Sequence, residues 1–355
     1  MKNNLFDYAT SELSQDAFIC WLCNWINFEE SDLNQDERNL KKLATEFIEN
    51  MLEGKKIDGK KVKILKQYNK IDVLLKIENK KTNEIETYII IEDKIGTGLH
   101  NDQIEEYKKK IEEENKDKNN NEGKIITVYY KIWDQCNIKE IGEKVVDKVY
   151  DRRRILELFE NYHNKTQNRI FSDYYDYLKK IEEEIKSYKQ KNLKEWNHRC
   201  YIGFFKYLQD EKKDLIEGGC GWGYVPKGDF MGFWWFPLNE GKLKNLVNDH
   251  RNENVYLQIE QHGVEDIIAV KYSVTKKYEE NKELQAEEFK DKVEKASERR
   301  KIIYKKLKEK LGDSFNKKNF QRGKYMTVGY LTYDSKEDCE DKIKILQNTL
   351  KELEI

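Results

Sequence analysis

The sequence predicts an α/β protein with a mixed-sheet core, followed by a helical segment and a second, α+β domain. Within residues 1–135, helical and strand-like apolar patterns follow one another in the order helix, three strands, helix, strand. From Asp151 to Glu211 the apolar residues recur with helical period. Both prolines and a cluster of glycines come only after that stretch, so the composition changes there. We therefore expect a core at 1–135, a helical extension at 136–192 and an α+β C-terminal domain at 193–355.

Composition limits the classes of function that are open to the chain. Its 355 residues are enough for two domains, and its net charge of -1 argues against a broad basic surface for nucleic acid. Any contact with a polyanion must therefore be local. The first seven residues contain no apolar signal core, and no stretch approaches the length of a membrane span. We expect a cytoplasmic protein without membrane contact.

The elements predicted for the core follow from apolar period and turn residues. Two helices come first, and a polar turn between the second and third strands predicts a hairpin. Asp102 is expected to start the next helix, with Glu105 as its capping-box partner, and an Asn/Lys/Asp-rich loop follows the helix. In chain order the predicted elements are helices Leu13–Ile26 and Leu40–Leu52, strands Lys60–Lys66, Ile71–Ile77 and Ile85–Glu92, the helix from Asp102, the loop at 115–123, and strand Lys124–Ile132.

The last part of the chain is expected to form strands and two helices. An aromatic run, Phe230–Phe236, lies in the first of these strands. It is explained by a strand that is buried on both faces, by a subunit interface in a homodimer, or by a stacking platform for bases. In chain order the predicted elements are strands Asp229–Pro237, Val255–Ile259 and Ile267–Tyr272, helix Phe289–Leu311, strand Tyr325–Tyr333 and helix Asp338–Leu350.

Three ionisable residues end the third core strand directly after an isoleucine run. Glu92 and Lys94 are two residues apart and therefore point to the same face, whereas the side chain of Asp93 points to the other. Asp72 is the carboxylate that the neighbouring strand offers at this end. If the hairpin register brings Asp72 opposite Glu92, two hard oxygen ligands face one point, which suits Mg²⁺ or Mn²⁺ with bound waters. The alternative is a solvated strand end.

Two helices contribute further candidates. Gln103 and Tyr107 are four residues apart, so they share a helix face near the positive end of the helix dipole, where a phosphate oxygen would be stabilised. The alternative for this pair is a surface glutamine and a core tyrosine. Glu12 and Asp16 are also four apart on the first helix, and either is a candidate for a further metal ligand. For Glu12 the alternative is a carboxylate that stabilises the helix start.

The combination of Asp72, Glu92-Asp93-Lys94, Gln103 and Tyr107 resembles the PD-(D/E)XK nuclease superfamily, in particular its RecB-like branch with a Gln-x-x-x-Tyr motif. The opening residues 5–18 are similar to a bacterial family of PD-(D/E)XK nucleases. The resemblance covers roughly the first 135 residues. It departs from the family pattern at Ile71, where many members have proline.

This resemblance implies a restriction-endonuclease-like core and a role for each residue of the motif. Asp72, Glu92 and the backbone carbonyl of Asp93 would hold Mg²⁺, and Lys94 would be catalytic. Gln103 and Tyr107 would hold the nucleic-acid backbone near the site. Glu12 would correspond to the first-helix acid that some members carry. The expected function is a Mg²⁺-dependent nuclease, with DNA rather than RNA as substrate because most members of the family act on DNA.

The remaining expectations concern the setting of that activity. The C-terminal domain would select a substrate or partner, and bacterial defence against phage, mobile-element biology or DNA repair would be natural settings. The alternative is a catalytically silent module of the same fold that binds nucleic acid or protein. Metal-dependent cleavage separates an enzyme from such a module.

Overall fold

A computed structural model describes residues 3–100, 102–117, 123–237, 253–262, 265–274, 286–317 and 321–353. The chain divides into two compact units, Met1–Glu183 and Glu184–Ile355. The first unit contains a mixed five-stranded sheet and the second an antiparallel five-stranded sheet, each accompanied by helices. The predicted α/β class is confirmed.

The first unit contains every helix and strand that was predicted for residues 1–135, with ends that differ by a few residues. Its elements are α1 (Glu12–Asn24), α2 (Gln35–Met51), β1 (Lys60–Tyr68), β2 (Ile71–Asn79), β3 (Ile85–Lys94), α3 (Gln103–Asp117), β4 (Lys124–Lys131), α4 (Ile138–Lys144), β5 (Lys148–Asp151), α5 (Arg152–His163) and α6 (Arg169–Lys186).

The first sheet has the strand order β1-β2-β3-β4-β5. The pairs β1–β2 and β2–β3 are antiparallel, whereas β3–β4 and β4–β5 are parallel. The parallel β3–β4 pair needs a crossover connection, which α3 supplies. Strand β3 is central and its residues 89–91 are fully buried, so its apolar run is that of a strand covered on both faces. The carboxyl ends of β3 and β4 therefore meet at one edge, beside the start of β2.

The segment that was expected to form a helical extension also adds a strand to this sheet. Strand β5 pairs with β4 from Val128↔Lys148 to Lys131↔Asp151. It is four residues long and contains charged residues at both ends, so it has no apolar period that sequence reasoning can detect.

Two local expectations for α3 need correction. Asp102 has φ 60°, in the left-handed region, whereas an N-cap residue is normally extended, so it is not the start of a capping box. At its other end α3 continues to Asp117, past the predicted start of the loop. The rest of that predicted loop, at 118–122, lies outside the described residues.

The second unit has an antiparallel sheet of order β10-β9-β8-β7-β6. The last strand has the predicted bounds, whereas β6 was not predicted because two of its six residues are glycines, which interrupt any apolar pattern. The elements are α7 (His198–Asp210), β6 (Cys220–Val225), β7 (Phe230–Trp235), β8 (Glu253–Glu260), β9 (Asp266–Val274), α8 (Ala286–Leu311), β10 (Tyr325–Tyr333) and α9 (Lys336–Lys351).

The aromatic run of β7 lies mainly in the core of the second unit. Phe233 and Trp235 are fully buried, and the Trp235 indole N–H donates to Gln347 of α9 at 2.6 Å. Trp234, on the other face, is half-buried, with its ring packed against Gly221. These contacts favour the buried-strand explanation of the run.

Candidate active site

Asp72 and the end of β3 meet because of the strand register. The pair Val73↔Ile91 is the last in the β2–β3 ladder, so Asp72 comes next to Glu92. The backbone N–H of Asp93 donates to Asp72 Oδ2 at 2.9 Å, which fixes this carboxylate at the strand end. The hairpin thus brings two carboxylates to one edge of the sheet.

Lys94 lies at the centre of a cluster of carboxylates from three elements. Its Nζ makes a short ion pair with Glu92 Oε1 and lies 3.7 Å from both Asp72 Oδ2 and Glu12 Oε2. The side chains of Lys94 and Glu92 are 8% and 0% exposed, whereas that of Glu12 is 37% exposed. The cluster is therefore closed at Glu92 and open to solvent at Glu12.

Helix α3 turns Gln103 and Tyr107 toward this cluster. Gln103 Nε2 donates to Glu92 Oε1 and to the Tyr107 hydroxyl, each at 2.7 Å. The Tyr107 hydroxyl in turn donates to the backbone carbonyl of Lys70 at 2.8 Å. Gln103 thus holds Glu92 in place and is itself held by Tyr107, while the phosphate contact expected of this pair stays a prediction.

The two acids of α1 have different surroundings. Ser11 caps the helix by accepting from Ser14 N, and Glu12 Oε1 accepts from Ile95 N at 3.2 Å and from Thr97 Oγ1 at 3.1 Å. One turn later, Asp16 Oδ2 accepts from Gln67 Nε2 at 2.8 Å. Glu12 thus joins the loop after β3 to the Lys94 cluster, whereas Asp16 is linked to the cluster through Gln67.

The side chain of Asp93 points away from the Lys94 cluster, as the strand period predicts. Its Oδ1 accepts a short hydrogen bond from Gln15 of α1, while its backbone carbonyl accepts from Lys94 Nζ at 3.1 Å. Burial raises the pKa of the Asp93 carboxyl well above its ordinary value. The carbonyl, and not the carboxylate, is therefore on the side of Glu92.

The electrostatics of the cluster come from burial and crowding of like charges. Burial, and then the charge of Asp72, raise the pKa of Glu92 to about 7, although Lys94 opposes this shift. Burial also raises the pKa of Asp16 to about 6. Burial alone would lower the pKa of Lys94, but its contacts with Glu92, Asp72 and Glu12 raise it above the ordinary value. Lys94 is therefore a cation at neutral pH.

The donor set fits a hard divalent cation that keeps several waters. Glu92 Oε2 is buried and has no hydrogen-bond partner in the part of the chain that the structure describes. Among those same residues, no group of three or more His, Cys, Asp or Glu side chains is arranged to hold a metal ion. Mg²⁺ is usually bound by one or two carboxylates plus water and substrate, so Asp72 and Glu92 suit it without a full protein cage.

Gln67 is a site residue that sequence reasoning missed. Its Nε2 donates to Asp16 and also to Asp72 Oδ1, the latter at 3.1 Å. It is the penultimate residue of β1, is skipped in the β1–β2 register, and has a φ of 52° that is unusual for a residue other than glycine. Asn69 and Lys70, in the turn that follows, also have positive φ. The sequence gives only a weak indication of this role, because the contacts of the Gln67 amide with Asp16 and Asp72 depend on the local backbone conformation.

Lys131 is a second residue that was missed. It ends β4 and lies beside Lys94 in the parallel register. Its Nζ donates to the backbone carbonyl of Ile95 at 2.7 Å and to that of Thr97. Burial lowers its pKa to about 8. The available signal was a lysine at the end of a buried strand, in the same position as Lys94 in its own strand.

Comparisons with known proteins identify no relative of this chain. Searches with protein-family models, curated proteins and solved structures found no significant match. Within the described part of the chain, none of the helices is long and apolar enough to cross a membrane. The function has to be argued from the site itself.

Proposed function

We propose that this chain is a metal-dependent nuclease that hydrolyses phosphodiester bonds, with DNA as its main substrate. The observation that carries the proposal is the convergence of Asp72, Glu92, Lys94 and Gln103 at one edge of the sheet. The element order α1, β1–β3, α3, β4 supports a restriction-endonuclease-like core at residues 1–135.

Asp72 and Glu92 would hold Mg²⁺ or Mn²⁺, with the Asp93 carbonyl and Glu12 as further oxygen donors. The bound ion supplies Lewis acidity and makes a coordinated water more acidic. The buried Oε2 of Glu92 supports this assignment, because a buried carboxylate oxygen without a partner is costly unless a proton or a cation is bound there, and the raised pKa of Glu92 reflects the same demand for positive charge.

Lys94 supplies a fixed positive charge. The contacts of Lys94 with Glu92, Asp72 and Glu12 raise its pKa, so in the metal-free protein its Nζ keeps its proton at neutral pH and attracts negative charge. The phosphate that approaches the cluster would exchange one of the carboxylate contacts of Lys94 for a contact with its own oxygen. Gln103 keeps Glu92 oriented during this exchange, because its amide is itself held by Tyr107.

A second candidate is a catalytically silent module of the same fold. It is favoured by one observation: Lys94 already pairs with Glu92, Asp72 and Glu12, so that part of the negative charge is balanced without a metal. Such a module would bind nucleic acid or protein without turnover. Three carboxylates around one ammonium still leave negative charge at the site, which favours the enzyme.

The test is cleavage of labelled single-stranded DNA, double-stranded DNA and RNA with Mg²⁺ or Mn²⁺, compared between wild type, Lys94→Ala and Lys108→Ala. Lys108 is a matched control because it is a partly exposed lysine of α3 that pairs with Glu105. We expect wild type and Lys108→Ala to cleave and Lys94→Ala to lose at least about a hundredfold, the scale on which one electrostatic donor contributes. Equal cleavage by Lys94→Ala would refute the assignment, and binding without any cleavage would favour the silent module.

We further propose that the second unit selects the substrate or partner and that the protein acts in the cytoplasm. Bacterial defence, mobile-element biology and DNA repair are the settings in which a nuclease core fused to such a unit would serve. Deletion of the gene in its host, followed by phage challenge and DNA-damage assays, separates these settings.

A further inference from the structure

The loop that follows Lys94 is held by the segment that follows β4. Lys131 Nζ donates to the backbone carbonyls of Ile95 and Thr97 in this loop. Two residues further on, the Trp133 indole packs against Gly96, where an added Cβ would lie 3.3 Å from Cζ3 of the ring. Two residues later again, Gln135 packs against Gly98, where a Cβ would lie 3.2 Å from its Nε2. Alternate residues of one segment therefore position the whole loop.

This loop forms the solvent-facing rim of the candidate active site. It begins directly after Lys94, and its Thr97 hydroxyl donates to Glu12 Oε1 at 3.1 Å. Glu12 is the carboxylate at the open side of the cluster. The Trp133 indole lies on the loop backbone at Gly96, so the ring stands at the rim through which a substrate reaches Lys94.

Trp133 is a large apolar residue of which 41% is exposed at that rim. An exposed indole ring offers a flat apolar face on which a nucleobase can stack, and such stacking is tolerant of sequence because every base has a π-face. Gly96 is two residues from Lys94, so their Cα atoms are at most about 7 Å apart. The nucleotide next to a phosphate bound at Lys94 is therefore within reach of the indole.

We propose that Trp133 stacks on the base next to the scissile phosphate and thereby makes unpaired nucleic acid the preferred substrate. The inference rests on the proposed nuclease function and adds a substrate class to it. A base inside a duplex would have to leave its stack to meet the indole, whereas a base in a single strand or frayed end is already accessible. Single-stranded DNA and DNA with unpaired ends should therefore be cleaved faster than continuous duplex.

The test compares cleavage of a single-stranded DNA oligonucleotide with cleavage of the same strand in which a central run lacks bases. Wild type, Trp133→Leu and Trp133→Phe are assayed on both strands. We expect Trp133→Leu to lower kcat/KM on the base-bearing strand by about 5- to 150-fold, the range found for loss of one aromatic–base stack, and Trp133→Phe to recover most of it. On the strand without bases all three proteins should cleave alike.

Two results overturn the proposal. If Trp133→Leu lowers kcat/KM equally on both strands, the indole only supports the loop at Gly96. If kcat/KM falls on neither strand, the indole does not contact the substrate. Phe28→Leu is the control, because Phe28 is 46% exposed but follows the far end of α1, whose first turn holds Glu12. It should behave as wild type.

A binding measurement separates failure of this inference from failure of the proposed function. An oligonucleotide that carries the fluorescent base 2-aminopurine is titrated with protein in Ca²⁺, and the emission of the bound base reports stacking. If wild type quenches the emission and Trp133→Leu does not, the stacking inference stands even if no substrate is cleaved. If both proteins quench equally, the inference fails even if the nuclease is active.

Discussion

Replacement of Glu92 by glutamine tests the electrostatic reasoning on the candidate site most directly. Burial and the charge of Asp72 raise the pKa of Glu92 from 4.5 to about 7. The folded protein therefore binds this proton more tightly than the unfolded chain, so ionisation of Glu92 lowers stability as pH rises from about 4.5 to about 7. At 1.36 kcal/mol per pKa unit, the ionised carboxyl costs about 3 kcal/mol above pH 7.

Glu92→Gln keeps the size of the side chain and an oxygen that accepts from Gln103, but it removes the charge. In EDTA we expect the advantage of the variant over wild type to grow by about 2 kcal/mol between pH 5 and pH 8, because wild type is mostly protonated at the lower pH. For a unit of this size that corresponds to about 4–8 °C in the melting temperature.

The assay is urea unfolding at both pH values, with thermal unfolding as a second readout. Glu105→Gln is the matched control, because Glu105 is an exposed acid on α3 whose replacement should change stability by no more than about 0.5 kcal/mol. If Glu92→Gln is less stable than wild type at pH 8, or if the difference between them does not change with pH, burial does not raise the pKa of Glu92 in this way.

Two further predictions concern metal binding. A proton on Glu92 competes with a cation, and the pKa of Glu92 is about 7. The affinity for Mg²⁺ should therefore be about tenfold weaker at pH 6 than at pH 8. The Mg²⁺-dependent rise in melting temperature measures this, and a rise that does not depend on pH would contradict it. Gln67→Asn shortens the side chain whose amide joins Asp16 to Asp72, and asparagine tolerates the left-handed backbone at this position. The variant should bind Mg²⁺ about tenfold more weakly, with little loss of stability. Calorimetry measures the affinity, and an unchanged affinity would exclude a positioning role for Gln67.

The sequence predicted those parts of the fold that carry a long apolar pattern. Strand β3 was found because of its isoleucine run, and β10 because aliphatic and aromatic residues recur through Tyr325–Tyr333, although a bulge between Thr327 and Gly329 interrupts their alternation. Strands β5 and β6 were missed for opposite reasons. The first is too short to show a period, and the second is interrupted by Gly221 and Gly223, so both owe their conformation to pairing with a neighbouring strand.

At the candidate site, the residues that strand and helix period place on one face were predicted, whereas Gln67 and Lys131, whose contacts depend on neighbouring turns and loops, were not. The period of β3 was enough to put Glu92 and Lys94 on one face and the Asp93 carboxylate on the other. Gln67 reaches Asp72 because its own backbone is in the left-handed region, which no local sequence pattern predicts. The partner of Gln103 was also beyond sequence reasoning, since it depends on how closely α3 packs against β3.

The arrangement around Glu92 is difficult to explain as a device for stability alone. A buried ion pair is often no more stabilising than apolar residues of the same volume, and Glu92 adds the cost of a like-charged neighbour, Asp72. Its Oε2 has no partner among the described residues, so part of that cost is uncompensated in the protein by itself. A divalent cation would offset both terms, because it contacts the free oxygen and neutralises the two acids. Stability is given up at the position where a cation would restore it, which is the pattern expected of a binding site.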